Sequence, residues 1–122
     1  MEGDDFMQEK RFTTNNKRPL NRADQDAIWL GDLIRNERSK QSITQQELCE
    51  RASINNSYLS AIEHGYSFIS VSKLLSICEG LDISPGYILD QLAERRALQA
   101  RQEALLRAEK EELIRRHQES LS

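Results

Sequence analysis

Between Thr44 and Gly65 the chain opens a helix, closes it, opens a second and closes that one too, and few folds accommodate so abrupt a sequence of starts and stops. Thr44 stands three residues before Glu47, so each side chain can bond the other's backbone N–H at a helix start. A helix is therefore predicted over Gln45 to Ala52, with Leu48 and Ala52 on its inner side. Ser53-Ile54-Asn55 interrupts it. Asn55 or Asn56 can cap the next helix, which carries Leu59 and Ile62 inward and is expected to run from Asn56 to His64, where Gly65 stops it.

The same logic extends in both directions. Ile28, Leu30, Leu33 and Ile34 recur at helical spacing and predict a helix from Asp24 to about Lys40. Ser70 can cap a fourth helix, with Val71, Leu74, Leu75, Ile77, Cys78 and Leu81 as its apolar positions and Gly80 as its stop. Ser84-Pro85 has the arrangement of a cap followed by proline at the first helical position. From there to about Glu119 strong helix formers dominate, so one long helix or a broken pair is expected. Residues 1–22 show no helical period and read as a charged arm: Met1 to Glu9 holds four acids and no base, while Lys10, Arg11, Lys17, Arg18 and Arg22 are five bases without an acid between them. The expected organisation is an arm over 1–22, a domain over 23–89 and a C-terminal helix over 90–122, all-α throughout.

Composition narrows the function classes. With 122 residues there is room for one core and an appendage. No apolar run reaches the roughly 18 residues of a membrane span, and the acidic amino end is unlike a secretory signal, so a cytoplasmic protein without a membrane partner is expected. Cys49 and Cys78 lie in helical segments at no metal-ligand spacing and are expected to be small buried core thiols. No nucleophile motif, phosphate-cradling glycine loop or His/Cys/carboxylate cluster occurs, and His64 and His117 are isolated, so neither an enzyme, a metal site nor a cofactor is expected.

Two short helices joined by a tight turn, the second bearing short amides and hydroxyls, form a layout that reads DNA in its major groove, although small helical domains with other functions can share the same helix lengths. The stretch from Leu30-Gly31-Asp32-Leu33 through Thr44-Gln45-Gln46-Glu47-Leu48 to Ser57-Tyr58-Leu59-Ser60-Ala61-Ile62-Glu63-His64-Gly65 resembles the Xre/Cro/CI-like repressor family over about residues 28–89. The resemblance carries two landmarks, Thr-Gln at the start of the second helix and Ser-x-Ile-Glu-x-Gly at the end of the third. It implies a five-helix, lambda-repressor-like domain whose third helix enters the major groove of double-stranded DNA, and so a transcriptional regulator, as repressors of this type are.

On that resemblance Gln45 bonds a phosphate and braces the third helix. Asn56, Ser57 and Ala61 face base edges, with Asn55 at the lip; Asn can bond adenine, Ser either base type, and Ala can touch a thymine methyl. Tyr58 either lies over the sugar-phosphate backbone or seals the helix, and Ser60 is equally open. His64, Tyr66 and Ser67 follow the third helix where the family touches phosphate, but without basic side chains. Glu63 is implied to be structural, bonding a neighbouring backbone or base, and Cys49 and Cys78 stand where the family often has alanine. Residues 28–89 hold five bases (Arg35, Arg38, Lys40, Arg51, Lys73) against seven acids, so the arm is expected to supply positive charge.

Beyond this domain Leu92, Leu98, Leu105, Leu106, Leu113 and Ile114 form a partly heptad stripe, interrupted by Gln99 and Gln102; Leu98, Leu105, Leu106 and Leu113 are expected to hold a homodimer together, the other possibility being that the helix packs back on its own domain. The alternative is a protein-binding adaptor or antitoxin-like module that keeps the same fold while its long helix grips a partner. The low basic charge favours that alternative.

Overall fold

The computed structural model describes residues 20–121, which form five helices and no strand. They are α1 (Arg22–Lys40), α2 (Gln45–Ala52), α3 (Asn56–Glu63), α4 (Val71–Leu81) and α5 (Pro85–Leu121). Most of the arm, including Lys10, Arg11, Lys17 and Arg18, lies outside the described residues.

Helix starts follow local chemistry closely. Thr44 and Glu47 form the expected reciprocal pair at α2: the Glu47 N–H donates to Thr44 Oγ1 (3.0 Å) and the Thr44 N–H to Glu47 Oε1 (2.8 Å). That backbone hydrogen bond holds the Glu47 carboxyl below its ordinary range. Asn55, rather than Asn56, caps α3, its side-chain oxygen accepting from the Tyr58 N–H at 2.7 Å. Ser70 does the same for α4 through the Lys73 N–H. At α1 the start lies earlier than the expected Asp24. Asn21 is the cap, and Asp24 is the third residue of the helix, returning its carboxylate to the Asn21 N–H. Arg22, assigned by sequence to the arm, is therefore helical.

Helix ends depart from expectation more often. Gly65 turns the chain after α3 at φ +75, a left-handed conformation that glycine adopts without strain; α3 itself ends one residue before the expected His64. Gly80 does not stop α4. The helix continues to Leu81, and Asp82 takes the left-handed turn at φ 55. Gly80 is buried instead because α2 passes close by: a Cβ there would lie 2.9 Å from Leu48 Cδ1 and 3.2 Å from Arg51 Cβ. The last carbonyls of α4 gain partners from neighbouring elements, Gln41 Nε2 donating to Leu81 O and Arg51 Nη1 to Gly80 O.

The chain divides into two compact units, one ending at Leu92 and the other beginning at Ala93. The core of the first contains Ile34, Leu48, Leu59, Ile62, Ile77 and Leu81, all fully buried, with Leu33, Leu74 and Ala52 beside them and Ile54 and Tyr58 packed against it. Leu75, expected in the core, is 46% exposed, because it falls on the outer side of α4 from Leu74 and Ile77. Ile88 is fully buried and Leu92 packs on the same core, so the first turns of α5 complete this unit. Cys49 and Cys78 are free and buried, and burial pushes both thiols up.

The second unit, over residues 93–121, continues α5 without a break, resolving the choice between one helix and two. Its Leu98, Leu105, Leu106 and Leu113 are all exposed. No helix among the described residues is long and apolar enough to cross a membrane.

Candidate nucleic-acid interface

Helix α3 has two sharply different sides. Leu59 and Ile62 are buried three residues apart, whereas Asn56 and Ser57 at its start are exposed and Ser60 and Ala61 are half-buried. The turn Ser53-Ile54-Asn55 sets this orientation. Ser53 leaves α2 in the left-handed conformation at φ 57, and two residues later Asn55 caps the next helix. Asn55 directs its oxygen to the cap, and its amide nitrogen is the group it can offer outward as a donor. Tyr58 is half-buried and packs against the core.

Three helix termini converge on Glu63 at the end of α3. Arg38, from the last turn of α1, donates through Nε to Glu63 Oε2 (2.8 Å) and through Nη2 to Glu63 Oε1 (2.9 Å). Its Nη1 bonds the Ile43 carbonyl at 2.9 Å, just before α2. Gln45, the first residue of α2, donates through Nε2 to Glu63 Oε1, also at 2.9 Å. The Glu63 side chain is 1% exposed, and a carboxylate so enclosed needs donors of this strength and number. The hydrogen bond to Glu63 in turn holds the Arg38 guanidinium more firmly protonated than usual. This arrangement braces α3 against α1 and α2.

The clamp changes the reading of Gln45. Its amide nitrogen is engaged inward by Glu63, so the bracing part of its expected role is what the structure displays. Arg38 is the functional residue that sequence reasoning passed over, counting it only as a domain base. The signal was present: an acid following Leu59 and Ile62 on a buried face requires a cation from elsewhere.

Gly31 fixes the approach of α1 to α3. A Cβ at Gly31 would lie 2.0 Å from the Ile62 carbonyl oxygen, so only glycine lets the two helices come this close. After α3, the His64 Nδ1 lies 2.7 Å from the Ser60 carbonyl oxygen, which can only accept, so Nδ1 carries the hydrogen. The ring stacks on Tyr66 with centroids 5.3 Å apart, making a flat platform at the end of the helix. Ser67, beside it, is half-buried.

A family model described as a helix-turn-helix domain matches residues 31–94, just over half of the chain. The chain belongs to the Xre/Cro/CI-like helix-turn-helix family. The transcriptional regulator ClgR of Mycobacterium tuberculosis is 37% identical to this helix-turn-helix protein over 79 residues, 65% of the chain and 68% of the relative. Among solved structures, the clp gene regulator ClgR from Corynebacterium glutamicum superposes with a TM-score of 0.59 at 35% identity, covering 68% of this chain and 88% of that one. The restriction-modification controller protein C.AhdI from Aeromonas hydrophila superposes with a TM-score of 0.51 at 25% identity, covering 52% and 97%. The protein is thus a helix-turn-helix transcriptional regulator, and its family is not one of enzymes.

Proposed function

We propose that this regulator acts in the cytoplasm as a sequence-specific repressor, binding an inverted-repeat DNA operator as a homodimer. The observation that carries the reading is the pairing of an outward Asn56 and Ser57 at the start of α3 with an inner end clamped by Arg38, Gln45 and Glu63. Side chains that discriminate bases must be held in register, and a helix tied to two neighbours at its far end presents them without rotating. Asn56 and Ser57 read base edges, and Ser60 and Ala61 border the same face. Asn55 offers its amide nitrogen at the rim. The His64–Tyr66 stack lies where sugar and phosphate would pass, and the half-buried Tyr58 supports the helix from within.

Homodimerisation follows from the exposed stripe Leu98, Leu105, Leu106 and Leu113, which a second copy covers at least cost. Two copies related by a two-fold axis read an inverted repeat whose half-sites lie about 34 Å apart, one DNA turn. The arm bases Lys10, Arg11, Lys17 and Arg18 add the phosphate contacts that the acidic domain lacks.

The deciding experiment is selection of bound fragments from random DNA, with the upstream regions of clp genes as first defined probes because a relative is named a clp gene regulator. A recovered inverted repeat, bound in a salt-dependent manner that flattens when residues 1–19 are deleted, supports the reading. Recovery of no common sequence would favour the adaptor or antitoxin-like alternative, which the low basic charge of the domain also favours.

A further inference from the structure

The homodimer proposed above, on which this inference rests, can be built with its tail helices running the same way or opposite ways, and the charges of residues 93–121 distinguish the two. At 3.6 residues per turn the exposed Leu98, Leu105, Leu106 and Leu113 share one side of α5. Through the middle of that side, seven residues apart, run Arg95, Gln102, Glu109 and Arg116. Arg116 is already paired within its own helix, its Nε lying 3.3 Å from Glu112 Oε1. Glu109 has no ion pair among the described residues.

In a parallel, in-register pair each residue meets its own counterpart, so Arg95 would face Arg95 and Glu109 would face Glu109 inside the leucine seam. Like charges so placed repel, and a closed seam deprives them of water. The two halves of the tail also differ. From Glu94 to Arg107 there are four arginines against two glutamates, and over residues 108–121 four glutamates against three bases. Parallel pairing lays like half on like half, whereas reversal lays the cationic half on the acidic one and opposes the helix dipoles as well.

We infer that the tail helices of two copies pair antiparallel about an axis near Gln102. Reversal about that position brings Arg95 of each copy to Glu109 of the other, packs Leu98 on Leu106 and leaves Gln102 facing its counterpart. An amide pair at the axis satisfies itself without a charge. The Leu98–Leu106 contacts then flank the Gln102 pair on both sides, while Leu105 lies opposite Gln99 and Leu113 opposite Gln91.

The test is a set of nitroxide distances in the full-length chain, with single labels at Ala97→Cys, Ala104→Cys and Glu111→Cys. All three sites are exposed and face away from the stripe. The native Cys49 and Cys78 are buried with their thiols held protonated, so the added cysteine takes the label. In an antiparallel pair the axial distance between identical labels grows by about 3 Å for each residue away from the axis, twice the helical rise. The expected axial separations are about 6 Å at 104, about 15 Å at 97 and about 27 Å at 111. Equal distances at the three sites, or any other order, would overturn the antiparallel arrangement while leaving the dimer. A monomer mass in sedimentation, with no dipolar coupling at any site, would overturn the homodimer itself and assign the stripe to a different partner.

Discussion

Arg38 grips Glu63 with two parallel hydrogen bonds, Nε to Oε2 at 2.8 Å and Nη2 to Oε1 at 2.9 Å, across 25 positions of sequence. Such a bidentate pair is directional as well as strong, and here it ties the end of α1 to the end of α3. Arg38→Ala leaves a buried carboxylate with only Gln45 to answer it and frees the Ile43 carbonyl. A loss of about 3 kcal/mol in unfolding free energy is expected, read from urea titrations. Replacing both partners by apolar residues, Arg38→Met with Glu63→Leu, should cost less than Arg38→Ala alone, because no charge is stranded. Equal losses would show that the pair contributes packing only.

Asn56→Ala and Ser57→Ala should weaken binding to the selected operator far more than to random DNA, since each base contact contributes about 1–3 kcal/mol of discrimination. Neither residue caps α3, so both variants should retain the wild-type unfolding midpoint. Asn55→Ala cannot be read so cleanly. It removes the cap itself and should cost about 1 kcal/mol of stability. Mobility-shift titrations on both DNAs decide the matter, and a uniform loss would move these residues from base reading to phosphate contact.

Gly31→Ala and Gly86→Ala make a matched pair, both within helices. Alanine is the better helix former by about 1 kcal/mol, but at Gly31 the new Cβ meets the Ile62 carbonyl oxygen at 2.0 Å. The backbones must separate, and a net destabilisation of about 1–3 kcal/mol is expected, with weaker operator binding as α3 shifts. At Gly86 the nearest neighbour is Ser84 Oγ at 3.4 Å, so that variant should be neutral or more stable. Thermal unfolding of the two separates helix propensity from helix approach.

Leu106→Glu combined with Leu113→Glu should abolish self-association while sparing the fold, since both side chains are exposed within one chain. Sedimentation should report the monomer mass, and circular dichroism a native unfolding transition for the first unit. Operator affinity should fall with the loss of bivalency, although each half-site contact survives. An unchanged dimer would relocate the interface to the domain.

Glu47 lends the fold a pH dependence of known sign. Its folded carboxyl titrates below its unfolded range, so its stabilising contribution is complete above the unfolded value of about 4.3 and fades as pH falls through the lower folded value. Glu47→Gln keeps an acceptor for the Thr44 N–H but cannot titrate. The difference in stability between the two proteins should therefore shrink on acidification below about pH 4.3. A constant difference would assign the acid response elsewhere.

What the sequence determined by itself was most of what neighbours three or four residues apart govern, the Asn21–Asp24 box at the start of α1 excepted. The Thr44–Glu47 box, the Ser70 cap, the Asn55 alternative and the 3.6-residue period of Leu59 and Ile62 depend on local hydrogen bonds and local geometry, so they were legible before any fold was known. The family's turn and its outward polar residues were legible for the same reason. Tertiary structure decided the rest. Gly80 has the local look of a helix stop, yet α2 needs its missing side chain and Asp82 makes the turn. Leu75 is apolar and in period, but no described element covers its side of α4, while Leu92 lies beyond the expected domain and still packs on its core. Gln45 and Glu63 were visible as a pair of landmarks, but Arg38 joins them only when three helix ends meet in space. A buried carboxylate must find its donors wherever the chain brings them, and that search is long-range by nature.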